Sequence, residues 1–211
     1  MEIHDHEVIL FIGDSITDCK RDKTDAADLG RGYAFLTAAH IAGLHPEKKL
    51  TFINKGVNGN RIGNLQERWQ SDCIDLSPTI VSIYIGINDT WRRFDRNDPT
   101  TAEQFEAGYR DILERTQKQL QARIILIEPF VLPVPEDRRS WRGDLDGKIA
   151  VIHRLAEEYR IPLVQLDDAF AEAANKASYE QLAPDGVHPT LAGHALIAKR
   201  WLNTVGINSF N

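Results

Sequence analysis

The chain has 211 residues, of which 42% are hydrophobic, and it carries a formal net charge of −6 at pH 7. This length fits one domain, and such a chain can bury roughly 70% of the surface that its unfolded form exposes. The acidic balance argues against a nucleic-acid partner, and no apolar run approaches the length of a membrane span. The first seven residues do not resemble a secretory signal, so the sequence predicts a cytoplasmic protein.

The two cysteines, Cys19 and Cys73, form no Cys-x-x-Cys pair and have no companion histidine spacing. The sequence therefore predicts neither a zinc site nor a disulfide framework, and we expect no metal and no other cofactor. Three aspartates that follow separate strands, Asp14, Asp89 and Asp185, are interpreted as hydrogen-bond acceptors that order loops rather than as metal ligands.

The segment from Val8 to Thr17 is the most informative stretch of the chain. Five consecutive apolar residues, 8–12, predict a strand that is buried on both faces. Gly13 ends this run, and Asp14 and Ser15 follow at the carboxyl end of the strand, where open α/β sheets bind their ligands. Two interpretations are open at this point: Ser15 is a nucleophile, or Asp14 and Ser15 only cap a helix or close a turn.

Apolar periodicity predicts the other elements in chain order. Strands are expected at 50–53, 79–85, 124–127 and 163–166. Helices are expected at 32–42, 62–73, 102–120, 145–159, 168–175 and 190–203, with a capping box of Thr101 and Gln104 at the start of the third and Thr190 as the cap of the last. Phe35, Leu36 and Ala39 are predicted on the buried face of the first helix, and the polar stretches 18–30, 90–100, 128–143 and 178–184 are predicted loops. This alternation predicts a single α/β domain with a parallel sheet of about five strands and helices on both faces.

The predicted topology gathers five residues at one edge of the sheet, because parallel strands deliver their following loops to the same side. These residues follow strands one, two, three and five, and they are Ser15, Gly59, Asn88, Asp185 and His188. Together they offer the groups that an ester hydrolase needs.

Each of these residue types meets a chemical requirement of ester hydrolysis. A serine hydroxyl needs an adjacent base, and His188 can take its proton and later give it to the leaving alcohol. Asp185 can hold the imidazole in the required tautomer. The backbone N–H groups of Ser15 and Gly59 and the amide of Asn88 can bind the oxyanion, and one such donor is typically worth about 3 to 4 kcal/mol.

Four blocks of the chain resemble the SGNH hydrolase superfamily, also called the GDSL family. They are Gly-Asp-Ser-Ile at 13–16, Asn-Lys-Gly-Val-Asn-Gly-Asn at 54–60, Gly-Ile-Asn-Asp at 86–89 and Asp-Gly-Val-His-Pro at 185–189, with Ile16 in place of the commoner leucine. The resemblance runs from Val8 to the last helix. It implies a three-layer αβα sandwich with strand order 2-1-3-4-5, a metal-free reaction, Ser15, Asp185 and His188 as the catalytic triad, and Ser15, Gly59 and Asn88 as oxyanion donors.

Residues 54–69 and the Trp91-Arg92 pair after the third block resemble intracellular bacterial acetylxylan esterases, which remove acetyl groups from xylo-oligosaccharides. This resemblance implies a serine esterase that acts through an acyl-enzyme on a small acetylated sugar. We assign Asp14, Trp91 and Trp141 to substrate binding. For the two tryptophans the reason is that flat aromatic rings near the site can stack on sugar rings. Trp91 and Trp141 as hydrophobic anchors of their loops remain an equal alternative, and His194 is predicted to pack within the last helix.

Two other functions remain open. One is an esterase, thioesterase or lysophospholipase for longer acyl chains. The other is a flavodoxin-like binding module or phosphoacceptor that uses Asp14, although this leaves the Asp185–His188 pair without a role and no Walker-type phosphate loop is present. Two arginine clusters have three interpretations, namely solvated charge, a site for an acidic substrate group, or contact with an acidic subunit of a homo-oligomer: Arg92, Arg93 and Arg96, and Arg138, Arg139 and Arg142.

Overall fold

A computed structural model describes residues 1–208, in which five parallel strands form one sheet in the order β2-β1-β3-β4-β5. The strands are β1 (Val8–Gly13), β2 (Thr51–Gly56), β3 (Ile80–Tyr84), β4 (Arg123–Ile127) and β5 (Leu163–Val164). Gly13 at the end of β1 lies opposite both Gly56 and Tyr84, so three strands end together at one edge of the sheet. The predicted sheet and its strand order are confirmed.

Helices cover both faces of this sheet and complete a three-layer αβα sandwich. They are α1 (Ser15–Asp18), α2 (Tyr33–Leu44), α3 (Ile62–Asp72), α4 (Ile87–Arg96), α5 (Ala102–Gln119), α6 (Arg142–Tyr159), α7 (Asp167–Ala173), α8 (Tyr179–Leu182) and α9 (Leu191–Thr204). Short 3₁₀ turns lie at Pro46–Lys48, Ile74–Leu76 and Glu136–Trp141. None of the helices in residues 1–208 combines the length and the apolar composition needed to cross a bilayer.

Side chains of β1 alternate between two hydrophobic cores. Ile9 and Phe11 pack on the side of α2 and α9, whereas Leu10 and Ile12 pack on the side of α3, α5 and α6. All four side chains are fully buried, and burial of one such side chain is worth about 1.5 to 3 kcal/mol. Packing on both faces therefore holds β1 in place, and with it the start of the segment that carries Ser15.

Two predicted loops, at 90–100 and 178–184, contain α-helical segments, and a third, at 128–143, contains the 3₁₀ turn Glu136–Trp141 and the start of α6. The sequence predicts a loop at 90–100, but α4 spans most of these residues because its first turn is buried and Phe94 stacks on Trp141. The predicted loop at 178–184 contains the single turn α8, which begins with a capping box between Ser178 and Gln181. Tertiary packing explains the first difference, whereas the second has a local signal in the sequence.

The buried face of α2 also differs from the prediction. Phe35 is 49% exposed and Ala39 is also exposed, while the buried residues are Tyr33, Ala34, Thr37, Ala38 and Ile41. Apolar residues surround most of this helix, so its periodicity does not select one face. Contact with α9 decides which side is covered.

Candidate active site

The carboxyl edge of the sheet brings Ser15, His188 and Asp185 into one chain of hydrogen bonds. Ser15 Oγ lies 2.9 Å from His188 Nε2, and His188 Nδ1 lies 2.6 Å from Asp185 Oδ2. When Nδ1–H donates to the carboxylate, Nε2 is free to accept the serine proton. The arrangement is therefore capable of activating the hydroxyl as a nucleophile.

The Asp185 carboxylate has further hydrogen bonds within its own turn. It accepts the backbone N–H groups of Val187 at 3.0 Å and of His188 at 2.7 Å. Burial alone would raise the pKa of Asp185, but the hydrogen bonds from His188 and Val187 outweigh it and lower this pKa to about 2. The hydrogen bond to Asp185 in turn raises the pKa of His188, against the opposing effect of burial. Asp185 is thus ionised at neutral pH.

Ser15 stands at the start of α1 because of the two residues before it. A Cβ on Gly13 would overlap the carbonyl oxygen of Tyr84, so glycine allows β1 to turn into α1 close to β3. Asp14 caps the helix, with its Oδ1 accepting the N–H of Ile16 at 2.9 Å. As the first residue of α1, Ser15 has a backbone N–H with no intrahelical acceptor. This N–H is therefore in a position to donate to a bound ligand.

The other two predicted oxyanion donors lie on neighbouring loops. Gly59 is exposed in the β2–α3 connection and has a φ of 77°, a conformation that favours glycine. Asn88 lies in the first turn of α4, is 4% exposed, and donates from Nδ2 to the carbonyl oxygen of Asn60 at 3.1 Å. An amide NH₂ has two donors, so this bond leaves one of them for a ligand.

Arg68 on α3 ties these loops together, a role that the sequence does not predict. Its guanidinium donates to the carbonyl oxygens of Gly13 and Lys55, each at 2.9 Å, and to Asn60 Oδ1 at 2.7 Å. One side chain therefore fixes the ends of β1 and β2 and the loop that carries Gly59. No sequence pattern marks this role, because most of the acceptors are backbone carbonyls on distant strands.

The assignment of Asp14 to substrate binding is wrong. Its side chain has no exposed surface, and Oδ2 has no hydrogen-bond partner in the described residues. Desolvation raises the pKa of Asp14 to about 7, although the hydrogen bond from Ile16 opposes this effect. A carboxyl that is enclosed in this way caps α1 and is not accessible as a phosphoacceptor.

Asp89 is a second buried carboxyl that orders a helix. It accepts the N–H of Ile62 at the start of α3, with Oδ2 at 3.1 Å from the nitrogen, and burial raises its pKa to about 7. Within residues 1–208, no three His, Cys, Asp or Glu side chains lie together in an arrangement that could hold a metal ion.

The two predicted substrate-stacking tryptophans have different environments. Trp141 is 2% exposed, with Phe94 stacked on it at a centroid distance of 5.4 Å and the Arg138 guanidinium 4.1 Å from its ring centroid. Trp141 therefore anchors its loop, and its assignment to substrate binding is wrong. Trp91 is only partly buried, and its ring centroid lies 5.8 Å from that of His188. Trp91 keeps a surface beside the histidine.

A cavity of about 280 Å³ opens beside the serine and the histidine. Its lining residues are Ser15, Ile16, Cys19, Lys20, Asn58, His188, Pro189 and His194. His194 is 5% exposed, and burial lowers its pKa to about 4. Its Nδ1 accepts the N–H of Tyr33 at 3.2 Å, so Nε2 carries the proton and faces Cys19 Sγ at 3.3 Å. His194 is thus neutral, and it is packed within the last helix, as the sequence predicted.

Comparison with known proteins places this geometry in a family. The GDSL-like lipase/acylhydrolase family matches residues 11–196. An acetylxylan esterase from Geobacillus stearothermophilus is 36% identical over 98% of this chain and 97% of its own length. A crystal structure of an acetylxylan esterase from that organism has a TM-score of 0.88 at 34% identity, covering 99% of this chain and 98% of the other.

A second crystal structure, of a protein from Parabacteroides merdae described as GDSL-like lipase, has a TM-score of 0.93 at 32% identity. The match covers 97% of this chain and 98% of that one. The similarity in sequence and in structure thus extends over nearly the whole length of this chain and of these relatives. The chain belongs to the GDSL-like lipase/acylhydrolase family, the SGNH hydrolases, and is a carboxylic ester hydrolase.

Proposed function

We propose that this protein is a serine esterase that removes acetyl groups from xylo-oligosaccharides through an acyl-enzyme intermediate. The observation that carries the proposal is the hydrogen-bonded chain of Ser15, His188 and Asp185 beside a small cavity. Its support from relatives is the acetylxylan esterase of Geobacillus stearothermophilus, for which catalytic mutants with alanine in place of a serine and of an aspartate have been crystallised.

The proposed reaction begins when Ser15 Oγ attacks the carbonyl carbon of the acetyl ester and His188 Nε2 takes the hydroxyl proton. Asp185 stabilises the resulting imidazolium. The N–H groups of Ser15 and Gly59 and the free amide hydrogen of Asn88 bind the oxyanion. Collapse of the tetrahedral intermediate that the attack forms breaks the ester bond, and His188 returns the proton to the departing sugar oxygen. A water molecule, activated by His188, then hydrolyses the acetyl-serine and releases acetate.

The surroundings of the serine favour a small acyl group on a sugar. The cavity of about 280 Å³ is slightly below the size of typical sites for drug-sized ligands. Trp91 offers a partly exposed ring beside His188, where a sugar ring can stack. Sugar selectivity in this proposal comes from Trp91 and from polar contacts at the edge of the site.

Replacement of the nucleophile tests the mechanism. Ser15→Ala should remain folded and lose about 10⁴-fold or more in kcat on an aryl acetate. It should also lose covalent labelling by a fluorophosphonate, whereas Ser71→Ala, which alters an exposed serine on α3, should keep both properties. Retention of more than about a tenth of the activity in Ser15→Ala would rule out Ser15 as the nucleophile.

A longer-chain esterase is the second candidate, because the matching family includes lipases. Each buried methylene is worth about 0.8 kcal/mol, so a site for long chains should show kcat/KM rising along a series from acetyl to decanoyl aryl esters. The acetyl site proposed here should show the reverse order and should release acetate from acetylated xylo-oligosaccharides. Peak activity at octanoyl or beyond, without acetate release from the sugar, would favour the second candidate.

A further inference from the structure

Arg138 touches the candidate active site but has no part in the reaction described above. It lies in the 3₁₀ turn Glu136–Trp141, between β4 and α6, and its side chain is only 14% exposed. Its Nε donates to the backbone carbonyl oxygen of Asp185 at 3.2 Å. The guanidinium therefore holds the main chain of the residue whose carboxylate binds His188.

The same guanidinium lies over both tryptophans of the site. Its Cζ is 4.1 Å from the ring centroid of Trp141 and 5.2 Å from that of Trp91. The Trp91 centroid lies 5.8 Å from that of His188. Arg138 thus contacts two groups that adjoin His188, namely the turn that carries Asp185 and the ring of Trp91.

Backbone contacts hold the turn that carries Asp185 against the loop that carries Arg138. The N–H of Leu132 donates to the carbonyl oxygen of Gly186 at 2.9 Å. A Cβ on Gly186 would overlap the carbonyl oxygen of Val134 and would lie 3.2 Å from Cγ of Arg138. Because Gly186 separates Asp185 from Val187, the turn is pressed against the loop that carries Arg138.

We propose that Arg138 is a positioning residue that holds the Asp185 turn and the Trp91 ring, and through them orients His188 toward Ser15. The inference rests on the proposed function, since it concerns the same Ser15–His188–Asp185 chain. A planar guanidinium suits this role because it stacks on aromatic rings while it donates hydrogen bonds, which an ammonium group cannot reproduce.

The test compares Arg138→Met and Arg138→Lys with the control Arg139→Met. The control removes a neighbouring arginine whose side chain has no hydrogen bond or ion pair within residues 1–208. Rates on an aryl acetate are divided by the concentration of active sites, which is titrated with a fluorophosphonate. Both Arg138 variants should lose about 10- to 100-fold in kcat with little change in KM, because a misplacement of about 1 Å can cost about 100-fold. The control should behave as the unaltered protein.

The pH profile separates positioning from a purely structural role. The acid limb of kcat/KM reports the pKa of His188 in the free enzyme. The charged or titratable groups that face this imidazole include Asp185 in its own turn, Asp14 beside Ser15 and His194 on α9, and Cys19 and Lys20 line the same cavity. Loosening of the Asp185 hydrogen bond weakens the main cause that raises the pKa of His188, so the acid limb should move to lower pH. Arg138→Lys gives the cleaner reading of this shift, because it keeps the positive charge of residue 138.

Each outcome bears on one proposal. An unchanged kcat per active site and an unchanged acid limb in the Arg138 variants would overturn the positioning role, as would a loss that disappears when rates are divided by titrated sites. If Arg138→Met does not fold, the acid limb of Arg138→Lys decides the matter. Activity that persists in Ser15→Ala would overturn the proposed function instead.

Discussion

Replacement of Asp14 by asparagine should change how the stability of the protein depends on pH. In the native state, burial raises the pKa of Asp14 to about 7 from its ordinary value of 3.8. Between these two values the native carboxyl keeps a proton that the unfolded chain releases. The native state therefore binds more protons, and the free energy of unfolding falls as pH rises.

The magnitude follows from the difference between the two pKa values of Asp14. At 1.36 kcal/mol for a tenfold change in proton affinity, this difference corresponds to about 4 kcal/mol of stability. The full contribution is present below pH 3.8 and is lost above about pH 7. An asparagine side chain has no carboxyl to ionise and keeps an oxygen that can accept the N–H of Ile16, so Asp14→Asn should lack this loss.

Urea unfolding at several pH values between about 4 and 9, followed by circular dichroism, measures the effect. The unfolding free energy of Asp14→Asn should fall by about 4 kcal/mol less over this range than that of the unaltered protein. Asp89 also has a pKa raised to about 7, but its contribution is common to both proteins and cancels in the comparison. Asp5→Asn, at an exposed position, is the control. Equal pH dependence in Asp14→Asn and the unaltered protein would refute the reasoning.

Two further predictions concern catalysis and specificity. Asn88→Ala should lower kcat on an aryl acetate by about 100- to 1000-fold with little change in KM, because the amide binds charge that develops only in the transition state; a raised KM with unchanged kcat would make Asn88 a substrate anchor. Trp91→Ala should lower kcat/KM for acetylated xylo-oligosaccharides more than for an aryl acetate, because only the sugar needs the ring as a stacking surface, and Trp91→Phe should recover part of the difference. An equal loss on both substrates would mean that Trp91 serves only to pack against His188.

The resemblance of four short blocks to the SGNH hydrolases identified the residues that the fold brings together. Ser15, His188 and Asp185 are expected from it to meet although 173 positions separate the serine from the histidine, and in the structure they lie within hydrogen-bond distance. Such a prediction is possible because parallel strands place their following loops at one edge.

The sequence by itself determined the features that depend on nearby residues. The apolar run of β1 predicts a strand buried on both faces, since such a strand needs consecutive apolar residues. The capping box of Thr101 and Gln104 marks the start of α5, and Thr190 caps α9 as predicted, because these bonds form within one helical turn.

Only the tertiary structure decided which of the residues near the site face a substrate. Asp14 and Trp141 follow strands that end at the active-site edge, yet neighbouring elements enclose both of them. Phe35 is likewise predicted to be buried and is 49% exposed, because contact with α9 selects another face of α2. Arg138 donates its hydrogen bond to the carbonyl oxygen of Asp185, which is 47 residues away in sequence. Burial and long-range hydrogen bonds depend on segments that are distant in sequence, so local periodicity does not predict them.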